Sequence, residues 1–343
     1  MPKTIEIQTF LNTPGTILDV RSPGEYHQAH IPNAVSLPLF NDQERAKVGT
    51  CYKQQGREAA IILGLELVGS KMAEFVRSAK QLAQPLRIHC WRGGMRSSSM
   101  GWLLETAGME VYLLTGGYKV FRRWVRESLS QPKSIIVLAG MTGTQKTAIL
   151  QALALGQQAV LDLEHLANHR GSSYGAWGLP TQPSTEQFEN LVAIAWQQFT
   201  DDQPIWIEAE SQGIGSCRIP IELYQQMNQA PIIEIQRSLS ERIAYLETEY
   251  GKADSEILIT ATNRIRKRLG NQQAEAAILA IQMGNLREAI AIVLEYYDRT
   301  YKYDLARRQF PIASVLISGL TATQAAQILI SHLPKENPKL CAN

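Results

Sequence analysis

Two stretches constrain this chain more than anything else in it, because each is an apolar run that breaks at glycines and then turns helical. The first passes from Leu86-Arg87-Ile88-His89 through Cys90-Trp91-Arg92-Gly93-Gly94-Met95-Arg96 into Ser97-Ser98-Ser99-Met100. The second follows the run from Ser134 to Gly140 and reads Gly140-Met141-Thr142-Gly143-Thr144-Gln145-Lys146-Thr147 before helix-forming residues 148–155. Both patterns predict strand, tight loop, helix, and two of them in succession point to an α/β protein with parallel sheets. Backbone N–H groups converge where such a loop meets a helix N-terminus, so each loop favours a bound anion. In the first loop the same field favours the thiolate of Cys90, and Arg92 and Arg96 are the side chains suited to grip an oxyanion beside it.

At 343 residues the chain exceeds the length over which one core keeps growing, so two domains are expected. With 45% hydrophobic and 19% charged residues and no low-complexity tract, it has the composition of an ordinary globular protein rather than a disordered or fibrous one. A net charge of +2 neither announces nor excludes a nucleic-acid partner. Cys51, Cys90, Cys217 and Cys341 contain no CxxC pair, which argues against a structural zinc site and a disulfide framework. The amino terminus lacks a signal-peptide apolar region and the apolar runs are too short to cross a bilayer, so no membrane role and a cytoplasmic location are expected.

Strand patterns at Thr16–Val20, Ala34–Leu37, Leu86–Cys90 and Val111–Leu114 alternate with helical ones, and the helix over Tyr118–Leu129 closes a first domain at residues 1–130. The breaker Ser130-Gln131-Pro132-Lys133 separates it from a second, 131–343, with strands at Ile135–Ala139, Ala159–Leu163, Pro204–Glu208 and Pro231–Ile235. Ser238-Leu239-Ser240-Glu241 reads as a capping box opening a helix toward Tyr250. The rest, through Leu333, reads as mostly helical, with a frayed tail over 334–343.

The second loop matches GxxxxGK[ST] except at Gln145, where glycine is expected and where a side chain crowds a phosphate. Gly140, Gly143, Lys146 and Thr147 are its candidate phosphate ligands. His169, Arg170 and Ser172, in a polar glycine-rich segment after the strand ending near Asp162, are candidates to meet the same anion. Glu208 and Glu210 at a strand end are candidates either to hold Mg²⁺ or to order the loop. Arg264, Arg266, Lys267 and Arg268, and the aromatics Tyr297 and Tyr301, are candidate RNA contacts, with a solvated face and simple packing as the alternatives.

The segments Leu18-Asp19-Val20-Arg21-Ser22-Pro23-Gly24-Glu25-Tyr26, His30-Ile31-Pro32-Asn33-Ala34 and Leu114-Thr115-Gly116-Gly117-Tyr118, with the Cys90 loop, resemble a rhodanese domain. The loop is longer than in many rhodaneses: Arg96 stands six places after Cys90, the spacing of the phosphatase signature His-Cys-x5-Arg. A rhodanese-like domain followed by a P-loop-like domain with Asp162-Leu163-Glu164, His169-Arg170-Gly171-Ser172-Ser173 and Glu208-Ala209-Glu210-Ser211 resembles the tRNA 2-selenouridine synthase family over nearly the whole chain. Gln145 and His165 depart from that pattern.

The resemblance implies a transferase acting on wobble 2-thiouridine in the anticodon region of tRNA, with geranyl diphosphate and selenophosphate as co-substrates, no tightly bound cofactor beyond a candidate Mg²⁺, and a selenophosphate-supplying enzyme as partner. It implies that Cys90 handles selenium within the Arg92 and Arg96 cradle, and that the second loop binds a diphosphate through Lys146. By spacing alone, a Cys-dependent phosphatase or a sulfurtransferase with an appended phosphate-binding domain remains the enzymatic alternative. A non-catalytic tRNA- or nucleotide-binding protein is the third.

Overall fold

The computed structural model describes residues 2–306 and 312–332; the expected frayed tail over 334–343, with Cys341, lies outside them. The chain divides into two compact units, Met1–Ser128 and Leu129–Asn343.

In chain order the first unit contains β1 (Lys3–Ile5), α1 (Ile7–Asn12), β2 (Thr16–Asp19), α2 (Pro23–Gln28), β3 (Val35–Ser36), α3 (Asp42–Gln55), α4 (Arg57–Gly69), α5 (Met72–Ala79), β4 (Leu86–His89), α6 (Met95–Thr106) and β5 (Val111–Leu114), and α7 (Gly117–Ser130) closes it. Its strands form one parallel sheet in the order β1-β5-β4-β2-β3. β4 lies in the middle and is buried along its whole length, as a strand covered on both faces must be. Its polar residues are accommodated specifically. Arg87 donates to Phe10 O at 2.7 Å, Leu11 O at 3.2 Å and Gly15 O at 2.7 Å, satisfying carbonyls at and beyond the end of α1. Leu18, Val20, Leu86, Ile88, Met100 and Leu104 form the core between the sheet and α6, so β4 and α6 fix both ends of the cysteine loop.

The second unit follows with β6 (Ile135–Ala139), α8 (Lys146–Leu155), β7 (Ala159–Leu161), α9 (Leu163–Leu166), α10 (Thr185–Gln198), β8 (Ile205–Glu208), β9 (Gly213–Ile214), β10 (Cys217–Arg218), α11 (Ile221–Asn228), β11 (Ile232–Gln236), α12 (Leu239–Tyr250), α13 (Ser255–Leu269), α14 (Asn271–Gln282), α15 (Leu286–Ala306), β12 (Ile312–Leu316) and α16 (Ala322–Ser331). Its main sheet is parallel, in the order β12-β11-β6-β8-β7. α12 opens on the expected capping box of Ser238 and Glu241.

The sequence pattern places residues after 250 in helices, and the structure corrects this at β12. β12 is an edge strand in which only Val315 is buried, so it lacks the alternation that marks a strand. Its partner β11 is supplied from far up the chain, at Ile232–Gln236. The predicted strand through Leu163 ends at Leu161, because Asp162 turns to cap α9, accepting from the His165 N–H at 2.8 Å.

Candidate active site

β4 ends at His89 and α6 begins at Met95, so Cys90 is the first residue beyond the sheet. The loop is held backbone to backbone by the turn that follows β5. Gly93 adopts φ +63° and Gly117 φ +61°. A Cβ on Gly117 would lie 2.3 Å from Cys90 O and 2.4 Å from Gly93 N, and one on Gly93 would lie 2.8 Å from Leu114 O. Only glycine fits on either side of that contact. Tyr118 N–H donates to Cys90 O at 2.8 Å and Lys119 N–H to Trp91 O at 3.0 Å, locking the approach.

Cys90 is 3% exposed, and its Sγ lies 3.2 Å from the Ser97 hydroxyl on α6. The thiol adjoins a surface cavity of about 720 Å³ whose walls carry Arg45, Lys53, Arg92 and Arg96 beside Trp91 and Tyr52. A cation-lined cavity over a cysteine at a helix N-terminus is suited to an anion next to sulfur.

Arg96 donates from Nη1 to Glu25 Oε2 at 2.7 Å, and Glu25 is itself part of the Ser22 capping box of α2. Burial raises the Glu25 carboxyl, but the bond and charge of Arg96 outweigh it and hold it below the usual range. Beneath the loop, Arg21 donates to Asp19 from Nε at 3.0 Å and Nη2 at 2.6 Å, and its guanidinium lies 3.8 Å from the centre of the Tyr118 ring. His89 is fully buried between Phe10 and Tyr118. Burial drives its pKa down to about 4 against the pull of Asp19, so it is neutral at physiological pH and Arg21 is the counter-charge of Asp19.

The second loop joins β6 to α8. Lys146 Nζ donates to Gly140 O at 2.7 Å, and Thr147 Oγ1 donates to Glu164 Oε2 at 3.0 Å. Gln145 adopts φ +68° and ψ +35°, the left-handed conformation that glycine would supply. From outside the loop Arg242, 3% exposed, donates to Thr142 O at 2.8 Å and pairs with Asp298 on α15 through contacts of 3.0 and 2.5 Å.

The loop opens on a cavity of about 240 Å³ lined by Gly140, Gly143, Lys146, Thr147, Glu164, Arg170, Ser172 and Glu210. Thr142, Ser172, Leu246, Tyr250 and Tyr297 wall this cavity and also a smaller chamber of about 50 Å³. The remaining walls of the chamber are mostly aliphatic: Leu258, Ile281, Leu286, Ile290, Val293 and Leu294. A mouth charged with both signs, Lys146 and Arg170 against Glu164, Glu210 and Glu249, therefore adjoins an apolar end.

Several candidates fall elsewhere than the sequence pattern suggests. His169 is absent from the cavity wall and is buried beneath the segment, where a Cβ on Gly175 would stand 2.9 Å from its ring. Burial and the charge of Arg264 both lower its pKa, leaving it neutral and ill suited to an anion. Tyr297 and Tyr301 line the cavity instead of a free RNA-facing surface; the Tyr297 hydroxyl accepts from the Ser173 N–H at 3.1 Å, and burial pushes its pKa up. On α13, Arg264, Lys267 and Arg268 are exposed, whereas Arg266 bonds Asn263 and Glu275.

Glu208 is not on the cavity wall either. It is buried, its Oε1 accepts the Glu164 N–H at 2.6 Å and its Oε2 has no partner. Burial, with Asp162 and Glu164 nearby, pushes it well above the carboxylate range. Glu164, Glu210 and Glu249 are the carboxylates on the wall, and Mg²⁺ needs only one or two such ligands with substrate oxygens, so the residues present fit that ion. Among the described residues no group of three metal-ligating side chains occurs. Cys51 is half-buried and Cys217 is buried, and burial pushes the Cys217 thiol up. No helix among the described residues is long and apolar enough to cross a membrane.

Sequence reasoning did not single out Glu25, Ser97, Arg242 or Asp298. Glu25 carries a signal, three residues after Ser22 in a capping box. Arg242 and Asp298 carry none, because their meeting depends on α12 and α15 packing together.

Comparison with known proteins matches residues 133–328 to the tRNA 2-selenouridine synthase AAA domain and residues 5–124 to the rhodanese-like domain. The tRNA 2-selenouridine synthase of Marinobacter nauticus is 34% identical over 88% of this chain and 91% of its own length. That of Bordetella bronchiseptica is 36% identical over 88% of this chain and 91% of its own. The corresponding protein of Pseudomonas putida GB-1 is 35% identical over 85% and 88%. A solved N-terminal domain of a Clostridium difficile 630 protein described as ATP/GTP-binding is 41% identical over 36% of this chain and 98% of that chain, with a TM-score of 0.35.

Proposed function

This chain belongs to the tRNA 2-selenouridine synthase family, and we propose that it replaces the sulfur of a wobble 2-thiouridine in tRNA by selenium through two group transfers, one at each anion loop. The carrying observation is the cavity of the second loop, where Lys146 and Arg170 stand with the carboxylates Glu164, Glu210 and Glu249, and whose wall is continuous with an apolar chamber. An isoprenoid diphosphate such as geranyl diphosphate has this bipolar shape, with a charged head and an apolar tail. A nucleotide, with polar groups at both ends, does not match the chamber.

In the first transfer the thiocarbonyl sulfur attacks the carbon bearing the diphosphate. The C–O bond breaks, a C–S bond forms, the base loses its N3 proton and pyrophosphate leaves. Lys146 and Arg170 stabilise the departing charge. Mg²⁺ bound with the diphosphate would be held by Glu164 and Glu210 and would neutralise part of that charge.

Alkylation converts a poor leaving group into a thiolate-type one. In the second transfer selenium from selenophosphate becomes bonded to C2, geranylthiol departs and phosphate is released after water cleaves the P–Se bond. Arg92 and Arg96 hold the selenophosphate oxyanion, and Cys90, with Ser97 in hydrogen-bond reach, lies beside the selenium as it attacks C2, without forming a bond to it. A selenophosphate-producing enzyme supplies this donor. The exposed Arg264, Lys267 and Arg268 of α13 are the proposed phosphodiester contacts for the tRNA.

Purified protein incubated with 2-thiouridine tRNA and geranyl diphosphate should give a geranylated nucleoside, and selenophosphate added afterwards should convert it to 2-selenouridine, both read by mass spectrometry. Selenouridine formed without any geranylated species would sink the two-transfer scheme. Release of phosphate from an aryl phosphate by Cys90, with no modified nucleoside, would instead support a phosphatase.

A further inference from the structure

We infer that Gln145 is the residue by which the second loop rejects nucleoside triphosphates. The complementary retention of an apolar-tailed diphosphate rests on the function proposed above. In GxxxxGK[ST] the residue before lysine is glycine for a physical reason: the backbone is left-handed there, and phosphates wrapped by the loop amides approach too closely for a side chain. This chain keeps the left-handed backbone, φ +68° and ψ +35°, and puts glutamine on it.

The substitution is not hidden in the core. Gln145 is half-buried and lines the cavity beside Lys146 and Thr147. A residue with a Cβ held at positive φ is a local strain that glycine would remove, and strain retained on a ligand-facing wall points to a use.

Lys146 is bonded to Gly140 O at 2.7 Å and the Thr147 hydroxyl to Glu164 at 3.0 Å, bonds that a diphosphate and a triphosphate alike would have to replace, so the discrimination falls to Gln145. Arg170 and Ser172 line the cavity as well, and Ser172 also borders the apolar chamber. A diphosphate whose tail runs into that chamber is received from that side, whereas a triphosphate enclosed by the loop needs the volume that the glutamine side chain occupies.

The test uses the full chain and two variants, Gln145→Gly and Gln145→Ala, titrated with a fluorescent N-methylanthraniloyl ATP in the presence of Mg²⁺ and separately with geranyl diphosphate by calorimetry. Gln145→Gly should tighten nucleotide binding by at least about tenfold over the unaltered chain, with geranyl diphosphate affinity changing by no more than about threefold. Gln145→Ala, which keeps a Cβ but not the carboxamide, should fall between them. Nucleotide affinity equal in the unaltered chain and Gln145→Gly overturns the inference, whether both bind or neither does. It is also overturned if Gln145→Gly loses geranyl diphosphate, which would make the glutamine a ligand instead of a barrier. If the unaltered chain binds no geranyl diphosphate, the proposed function fails, while the nucleotide comparison still decides the role of Gln145. A melting temperature for Gln145→Gly at or above that of the unaltered chain confirms that the variant is folded, as relief of left-handed strain requires.

Discussion

The cysteine loop and the lysine loop are built on the same plan, a parallel strand delivering a loop to a helix N-terminus, yet they treat their left-handed positions differently. At the first, Gly93 of the loop and Gly117 of the turn after β5 take positive φ values, and their missing side chains let two backbones meet. In the second, Gly143 and Gln145 take them, and one of the two carries a side chain into the cavity. The first loop is thus open to its anion and held rigid from behind. The second carries a side chain, that of Gln145, at a lining position where the GxxxxGK[ST] pattern has none. One supersecondary plan can host the two transfers proposed, because glycine positions decide how near the backbone a ligand can come.

The comparison can be broken most sharply at Cys90. Cys90→Ser should reduce selenium transfer by about 10³-fold or more while the geranylated nucleoside accumulates. An equal loss of both products by mass spectrometry would show that the two loops do not divide the chemistry.

The next effect is on stability and belongs to the first unit alone. His89 is held neutral with a pKa of about 4 against an ordinary 6.5, so the unfolded chain binds the extra proton between those values. Stability that is fully present above pH 6.5 should therefore be lost as pH falls toward 4, on the order of 3 kcal/mol from this residue. Denaturant titrations across that range should show the slope, and His89→Leu should flatten it.

For the second loop, Lys146→Ala should lower geranyl transfer by about a hundredfold and leave conversion of pre-geranylated tRNA intact. Loss of the second step as well would merge the two sites. The smallest effect is expected at Glu25→Gln, which removes the charge that positions Arg96. It should raise the KM for selenophosphate by about tenfold with kcat less affected, and a change in kcat alone would assign Glu25 another role.

Much of this was legible without coordinates. The strands around Cys90 and Gly140, the helices that follow them and the Ser238 capping box all arise from short-range rules, so residues a few positions apart sufficed to predict them. The edge strand β12 was not legible, since an exposed strand has no periodicity of its own and exists because β11 offers it hydrogen bonds. Where His169 and Tyr297 stand was not legible for a related reason: residue type suggests what a side chain can do but not which way its segment faces.

By itself, then, the sequence determined the α/β class, the order of the two loops and the family, because strand, turn and helix preferences and glycine spacing act locally along the chain. Only the tertiary structure decided which side chains share a cavity. Arg96 meets Glu25 across 71 residues and Arg242 meets Asp298 across 56, and those encounters depend on the order of strands in each sheet and the packing of distant helices. No local pattern records them, since the energy that brings them together comes from burying the elements that carry them.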